Sequence, residues 1–128
     1  NSDNKIIGSR RAKDMNYKLL LSSCDIGLST VIMKKEIITN KIKFANINTK
    51  EDYVLWLKIT LNNKKIFALK NNLTKWRKLN DSLSASKIQK LYDGYLVYRK
   101  YMNFSLAKSF ICLLLLSFNY GLKELRNK

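Results

Sequence analysis

The sequence predicts an α/β fold that continues into a helical C-terminal part. A β-branched apolar run at residues 28–33 suits a buried strand. Capping signals at Thr49 and at Ser86 each precede an apolar helical pattern. With 46 % apolar residues, the 128-residue chain can also fill a core. We therefore expect mixed strands and helices up to residue 85 and helices alone from residue 86.

Short elements separated by turns are predicted in the N-terminal part. Residues 17–21 suggest a short helix that ends before Gly27. The strand at residues 28–33 follows, then a short helix at 34–38. A connecting loop should occupy residues 40–48.

The central helix is predicted from Thr49, its N-cap, to about residue 61, where two Asn residues stop it. Its body is apolar on nearly all sides, which is typical of a helix buried on most faces. A strand is predicted after it at residues 66–69, and residues 73–77 are predicted to continue that strand or to form a second one.

Two helices are predicted at the C-terminus. Ser86 and Gln89 form a capping box for a helix over residues 87–102. Its apolar stripe consists of Ile88, Leu91, Tyr92, Tyr95 and Met102. The last helix, over residues 105–120, contains an apolar run at 110–116 that is far shorter than the ~20 residues of a spanning helix. We expect a core helix; an interfacial helix flanked by Lys108, Lys123 and Arg126 is the alternative.

The charge is strongly basic, with 25 Lys and Arg against nine Asp and Glu and a formal net charge of +16. Such a charge is compatible with a polyanionic partner, but a solvated basic surface is the simpler explanation and the one we prefer. Cys24 and Cys112 match no metal-binding spacing and are expected to be free buried thiols in a reducing cytoplasm. The chain has no His, which excludes His-based triads and His zinc sites within it.

Two adjacent carboxylates, Glu51 and Asp52, lie at the head of the central helix. An Asp at a helix start is close to backbone N–H groups and the positive end of the helix dipole, so we expect Asp52 to be ionised at neutral pH. It could then accept a proton during a reaction. The simpler alternative is a capping box formed by Thr49 and Asp52 without any catalytic role.

Three segments in order resemble the C-terminal half of bacterial family-2 glycosyltransferases: residues 27–36, residues 51–57, and Trp76-Arg77 with residues 81–84. The resemblance covers roughly residues 17–104. It implies a partial GT-A-like α/β/α sandwich, with residues 1–85 as the acceptor-side half and residues 86–128 as a C-terminal helical extension. It also implies transfer of a sugar from a nucleotide-sugar donor to an acceptor hydroxyl with inversion, in the biosynthesis of a surface polysaccharide such as capsule, O-antigen or lipopolysaccharide.

The resemblance assigns roles to individual residues. Asp52 matches the general base, and Glu51 would orient the acceptor or hold Asp52 in place. Arg77 and Ser82 match a loop near the donor phosphates, where Trp76 replaces the usual Tyr. Substrate-binding roles are also predicted for two other residues, namely Thr30, on the strand bordering the acceptor pocket, and Trp56.

The family's donor half is missing from the sequence. No Asp-x-Asp is present, so the ligands of the divalent metal expected for the full-length enzyme, Mg²⁺ or Mn²⁺, should lie outside this chain. We therefore expect a fragment that is inactive alone, and the start at Asn1 rather than Met agrees with that expectation. The expected partners are a nucleotide-sugar donor and a glycan or lipid-linked acceptor, with no nucleic acid. The expected location is the cytoplasm, or the inner face of the membrane if the chain associates with it peripherally.

Two other classes of function remain open. A small basic nucleic-acid-binding module would use the net charge and the tyrosines at positions 92, 95, 98 and 101, although these spread too far around a helix to form one stacking platform. A noncatalytic peripheral membrane element would be built on residues 105–128.

Overall fold

The computed structural model describes residues 9, 12–75 and 86–126, and its regular structure is helical. The α-helices are α1 (Tyr17–Leu20), α2 (Glu51–Leu61), α3 (Lys87–Leu96) and α4 (Leu106–Arg126). Short 3₁₀ turns lie at Leu28–Thr30 and Lys35–Ile37, and α3 continues into a π-helical turn at Val97–Tyr101.

No β-strand forms within the described ranges, so the predicted strands there are wrong. Leu28–Thr30 is a 3₁₀ turn rather than the start of a strand. At residues 66–69 the only pairing is an isolated antiparallel bridge between Met15 and Ile66. A strand needs a neighbouring strand for its backbone N–H and C=O groups, and here Met15 pairs with Ile66 while the N–H of Ala68 donates to the side chain of Asp14 instead. Residues 73–75 have no regular structure, and 76–77 lie outside the described residues.

Helix α2 forms the centre of the core. Its buried residues are Tyr53, Val54, Leu55, Trp56, Leu57, Ile59 and Thr60. The prediction of a helix enclosed on most sides is confirmed, because these side chains occupy nearly the whole circumference of the helix. The one buried polar side chain among them, Thr60, donates its hydroxyl hydrogen to the backbone carbonyl of Trp56.

A pair of buried tyrosines attaches α1 to α2 and to the π-helical turn. The hydroxyl of Tyr53 donates to the carbonyl of Leu20, and that of Tyr98 donates to the carbonyl of Leu21 at 2.8 Å. The two hydroxyl oxygens lie 2.8 Å apart, and the rings meet edge to face at 6.2 Å between centroids. Burial raises the pKa of both phenols, so both remain neutral donors.

Helices α3 and α4 pack against each other across Gly94. A Cβ atom at this position would lie 2.8 Å from Cδ1 of Leu113, so the missing side chain permits the close approach of the two helices. Asn103, with a φ of 54°, makes the turn between them. The predicted domain boundary between residues 85 and 86 lies at the edge of residues 76–85, which are outside the described residues.

Most of the apolar stripe predicted for α3 does not face the core, although Met102 at its end packs against it. Ile88 is 82 % exposed, and Leu91 and Tyr92 are also exposed. The buried residues of α3 are instead Asp93 and Gly94, on another side of the helix. The close contact at Gly94 and the hydrogen bonds of Asp93, described below, decide which side packs inward.

Helix α4 extends further than predicted, to Arg126. Over Leu106–Leu125, 20 residues with a mean hydropathy of 1.3, it is the one helix in the described ranges that is long and apolar enough to cross a membrane. Its inner side lies on the protein, where Ser109, Cys112 and Leu116 are buried. Lys123 on this side forms an ion pair with Asp25.

We expect Tyr98→Phe to lower the free energy of unfolding by about 1–3 kcal/mol, because the partly buried carbonyl of Leu21 would lose its donor. Urea unfolding followed by circular dichroism measures this change. Tyr92→Phe, at a residue 59 % exposed, removes the same hydroxyl group at the surface and is the matched control. Equal stability of the two variants would contradict a structural role for the Tyr98 hydroxyl.

Candidate catalytic site

The segment that enters α2 is held by two hydrogen bonds to a residue distant in the chain rather than by a capping box. Thr49, which was predicted as the N-cap, donates both its backbone N–H and its hydroxyl to Oδ2 of Asp93, at 2.8 and 2.7 Å. The N-cap position belongs to Lys50, whose side chain makes no capping bond. The predicted Thr49–Asp52 capping box is therefore wrong. Such a box does not explain why an acidic residue stands at position 52.

Asp93 is a buried acceptor that the sequence analysis missed. It is 1 % exposed, and its Oδ1 accepts a third hydrogen bond from Nε2 of Gln89 at 2.9 Å. Gln89 was predicted to complete a capping box with Ser86; its backbone N–H does bond to the Ser86 hydroxyl, while its side chain turns to Asp93. The available signal was an acid in the middle of a helix of a chain with only nine acids.

Lys50 connects these elements through its backbone and its alkyl chain. It has a left-handed φ of 66°, which turns the chain sharply into α2. Its Cε would lie 3.5 Å from a Cβ at Gly94, so the alkyl chain packs on α3. Burial lowers the pKa of the Lys50 ammonium, while the nearby carboxylates of Asp52 and Asp93 act in the opposite direction.

Asp52 lies half-buried at the start of α2, beside Glu51. Its Oδ1 accepts the backbone N–H of Tyr53 at 2.7 Å. Burial is the main reason that the pKa of Asp52 is raised, and the charge of Glu51 raises it further. The backbone N–H groups and Lys50 lower it by less. The backbone N–H groups at the helix start do stabilise the ionised form of Asp52, as expected, but burial and the charge of Glu51 outweigh them. This carboxylate is therefore a better proton acceptor than an exposed Asp.

The other predicted site residues lie at the surface, in the core or outside the described residues. Thr30 lies in an exposed 3₁₀ turn, where its hydroxyl donates to the carbonyl of Gly27 at 2.7 Å. Trp56, one turn after Asp52, is 1 % exposed, and its indole N–H has no hydrogen-bond partner. Arg77 and Ser82 lie outside the described residues. Glu51 and Asp52 are thus the predicted site residues that the structure places side by side.

The thiol nearest to these carboxylates is unreactive. Burial raises the pKa of Cys24 to about 11, and the charges of Asp52 and Lys50 contribute less. The thiol is therefore protonated at neutral pH and is a poor nucleophile. Across the described ranges, no group of three or more His, Cys, Asp or Glu side chains converges as metal ligands.

The tyrosines that favoured a nucleic-acid surface are divided between the core and the surface. Tyr98 is fully buried, and the hydroxyl of Tyr101 donates to the carbonyl of Asn46 at 2.9 Å. Tyr92 is exposed. Because stacking on bases needs several exposed rings on one surface, this series does not form such a platform.

Sequence comparisons indicate a class of protein to which the chain is similar. The chain is a distant homologue of bacterial proteins named as glycosyltransferases. No family model matches the chain, and no solved structure matches it.

Three relatives carry this similarity. The chain is 30 % identical over 115 residues to the Escherichia coli UDP-Glc:alpha-D-GlcNAc-diphosphoundecaprenol beta-1,3-glucosyltransferase WfgD, covering 88 % of the chain and 44 % of WfgD. It is 41 % identical over 80 residues to WfaP of Escherichia coli, which has the same enzyme name, covering 61 % of the chain and 30 % of WfaP. It is 26 % identical over 100 residues to the teichuronic acid biosynthesis glycosyltransferase TuaG of Bacillus subtilis, covering 78 % of the chain and 39 % of TuaG. The chain thus spans less than half the length of each.

We expect Asp93→Asn and Thr49→Val each to lower the free energy of unfolding by about 1.5–3 kcal/mol, because each disrupts hydrogen bonds to a buried carboxylate. The double variant should lose less than the sum of the two single variants, since both changes affect the same contact. Chemical denaturation of the four proteins measures the coupling. Glu36→Gln, in an exposed turn, controls for loss of a carboxylate. Additive losses would contradict the coupling.

We expect Asp52→Asn to raise the melting temperature at neutral pH by a few degrees. The folded state binds the Asp52 proton more tightly than the unfolded state, so the ionised carboxylate lowers stability as pH rises through the raised pKa. The advantage of the variant should shrink below a pH of about 4, near the ordinary pKa of Asp. There the wild-type side chain is protonated, and so neutral, in both the folded and the unfolded state. Melting curves across this pH range test the sign, and a variant less stable than the wild type at neutral pH would contradict it.

Proposed function

We propose that this chain contains the acceptor side of an inverting, family-2 glycosyltransferase of GT-A type. Its reaction moves a sugar from a nucleotide-sugar donor to a hydroxyl of a lipid-linked glycan during surface polysaccharide biosynthesis, at the inner face of the cytoplasmic membrane. The observation that carries this proposal is Asp52, a half-buried carboxylate with a raised pKa at the start of α2.

The names of the relatives support the substrate class. WfgD and WfaP are named for transfer of glucose from UDP-glucose to a GlcNAc-diphosphoundecaprenol acceptor. TuaG is named for teichuronic acid biosynthesis. All three names describe carbohydrate transfer, and two of them describe an acceptor carried on a lipid diphosphate. We extend this general kind of donor and acceptor to the present chain.

Asp52 would act as the general base. Its Oδ1 is engaged by the N–H of Tyr53, which fixes the carboxylate and leaves Oδ2 to take the proton of the acceptor hydroxyl. As that proton leaves, the acceptor oxygen bonds to the anomeric carbon of the donor and the bond from that carbon to the nucleotide diphosphate breaks. Attack from the face opposite the leaving group inverts the anomeric centre. Glu51, adjacent on α2, would orient the acceptor or hold Asp52 in place.

The donor side of the reaction requires residues beyond this pair. Glu51 and Asp52 are proposed to act on the acceptor side, and within the described ranges they belong to no group of three or more potential metal ligands. A divalent cation on the donor diphosphate would be held elsewhere in the full-length enzyme. Arg77 and Ser82 remain our candidates for the loop beside the donor phosphates, since Arg donates two parallel hydrogen bonds to phosphate oxygens. Thr30 and Trp56 remain proposed substrate-binding residues.

The test is Asp52→Asn in the longest natural protein that contains these residues. With UDP-glucose and a GlcNAc-diphosphate lipid as probes, we expect glucosyl transfer to fall by about 10²–10⁴-fold, because the hydroxyl loses its base. Donor binding, measured by calorimetry, should stay the same. Glu36→Gln, which removes a carboxylate in an exposed turn, should transfer like the wild type. Undiminished transfer by Asp52→Asn would disprove the assignment of the base.

A further inference from the structure

Helix α4 presents an apolar surface that nothing in the described structure covers. Its residues, which we call the apolar arc, are Phe110, Ile111, Leu114, Leu115, Phe118 and Leu125. Their side chains are between 47 % and 71 % exposed. At 3.6 residues per turn they occupy about 140° of the helix circumference. Exposed apolar surfaces of this kind are unusual in proteins that have no partner for them.

The opposite side of α4 is fixed to the protein by polar contacts. Nδ2 of Asn119 donates to the carbonyl of Ser22 at 2.9 Å. The ammonium of Lys123 donates to Ser23 and pairs with Asp25, which also pairs with Lys13 at 3.0 Å. Burial raises the pKa of Asp25, but these two ammonium groups outweigh it and hold the pKa below its usual value. The helix therefore cannot rotate the apolar arc inward without breaking an ion pair.

A group of basic side chains lies at the amino-terminal end of the arc. The guanidinium of Arg99 donates to the carbonyl of Phe104 at 2.9 Å, and Nζ of Lys108 lies 3.9 Å from the centroid of the Phe104 ring. Lys100 follows Arg99 in the chain and is also exposed, with its Nζ 5.7 Å from the centroid of the Tyr101 ring. We call Arg99, Lys100 and Lys108 the basic cluster. The acidic residue of α4, Glu124, lies near the other end, where it accepts a hydrogen bond from Tyr120.

We propose that the apolar arc and the basic cluster together dock on the surface of an anionic lipid bilayer. The arc would enter the boundary between headgroups and acyl chains, and the cluster would contact lipid phosphates. This inference does not rest on the proposed catalytic function. It identifies the binding partner of α4 from the combination of exposed apolar and basic groups.

The structure favours docking on an anionic bilayer surface over two alternatives, which are a helix that crosses the bilayer and contact with a second copy of the chain. A helix that crossed the bilayer would have to place Lys123 and its partner Asp25 in hydrocarbon, which is costly. A second copy of the chain would bring two proteins of net charge +16 together, with a basic cluster on each. Anionic lipid instead offers the opposite charge and an apolar interior at the same surface.

Cosedimentation with vesicles tests the proposal. Wild-type protein should bind vesicles of phosphatidylglycerol and phosphatidylethanolamine far better than vesicles of phosphatidylcholine. The double variant Leu114→Glu, Phe118→Glu should bind the anionic vesicles about tenfold or more weakly, because it places charge in the arc. The matched control is Ile32→Glu, Phe67→Glu, the same charge change at residues 98 % and 74 % exposed elsewhere, and it should retain most of the binding. Circular dichroism checks that both variants fold.

The basic cluster has its own test. Lys100→Gln and Lys108→Gln should each weaken binding to anionic vesicles by about fivefold, and added salt should reduce the difference. These lysines are exposed, so the folded structure should not change.

Three results would overturn the proposal. The first is equal loss of vesicle binding in the arc variant and in its matched control. The second is a wild-type protein that elutes as a dimer and becomes a monomer in the arc variant, with no sedimentation by either, which assigns the arc to a second copy. The third is vesicle binding by this chain but not by the longest natural protein containing it, which means that the rest of the protein covers the arc.

Discussion

The carboxylate of Asp93 lies in the protein interior and accepts three hydrogen bonds, two from Thr49 and one from Gln89. Removing a polar side chain from water is unfavourable unless hydrogen-bond partners in the protein replace the water. The chain meets this requirement by bringing the residue before Lys50 against the middle of α3. The entry of α2, the packing of Lys50 on Gly94 and the position of Glu51 and Asp52 all follow from this contact.

The few acids of this basic chain serve distinct purposes because their surroundings differ. Asp25 is held ionised by two ammonium groups and fixes α4 to the loop after α1. Asp93 is enclosed by neutral donors. Asp52 has one backbone donor and a like charge beside it, so its proton affinity is raised. Asp52 thus has surroundings that favour accepting a proton, whereas those of Asp25 favour the ionised form.

The elements that could be predicted from sequence depend on local interactions. Helix α2 was found because its stop signal and its apolar circumference lie within one segment, and the Ser86 cap of α3 was found for the same reason. The predicted strands at residues 28–33 and 66–69 require distant partners, which are not visible in a local pattern. The real role of Thr49 was missed because its partner lies 44 residues away. In the site, the carboxylate pair was predictable, whereas Asp93 and the raised pKa of Asp52 depend on burial.

The π-helical turn at Val97–Tyr101 separates two independent orientations in the C-terminal part. In this turn the N–H of Met102 bonds to the carbonyl of Val97, five residues back instead of four. One residue more or less in such a turn changes the rotation of the helical residues directly after it by about 100°. That rotation ends at Asn103, whose left-handed φ of 54° separates the turn from α4. A homologue with a single deletion here would therefore displace Tyr101 and Met102, while the contacts of Asn119 and Lys123 would still decide which side of α4 faces outward.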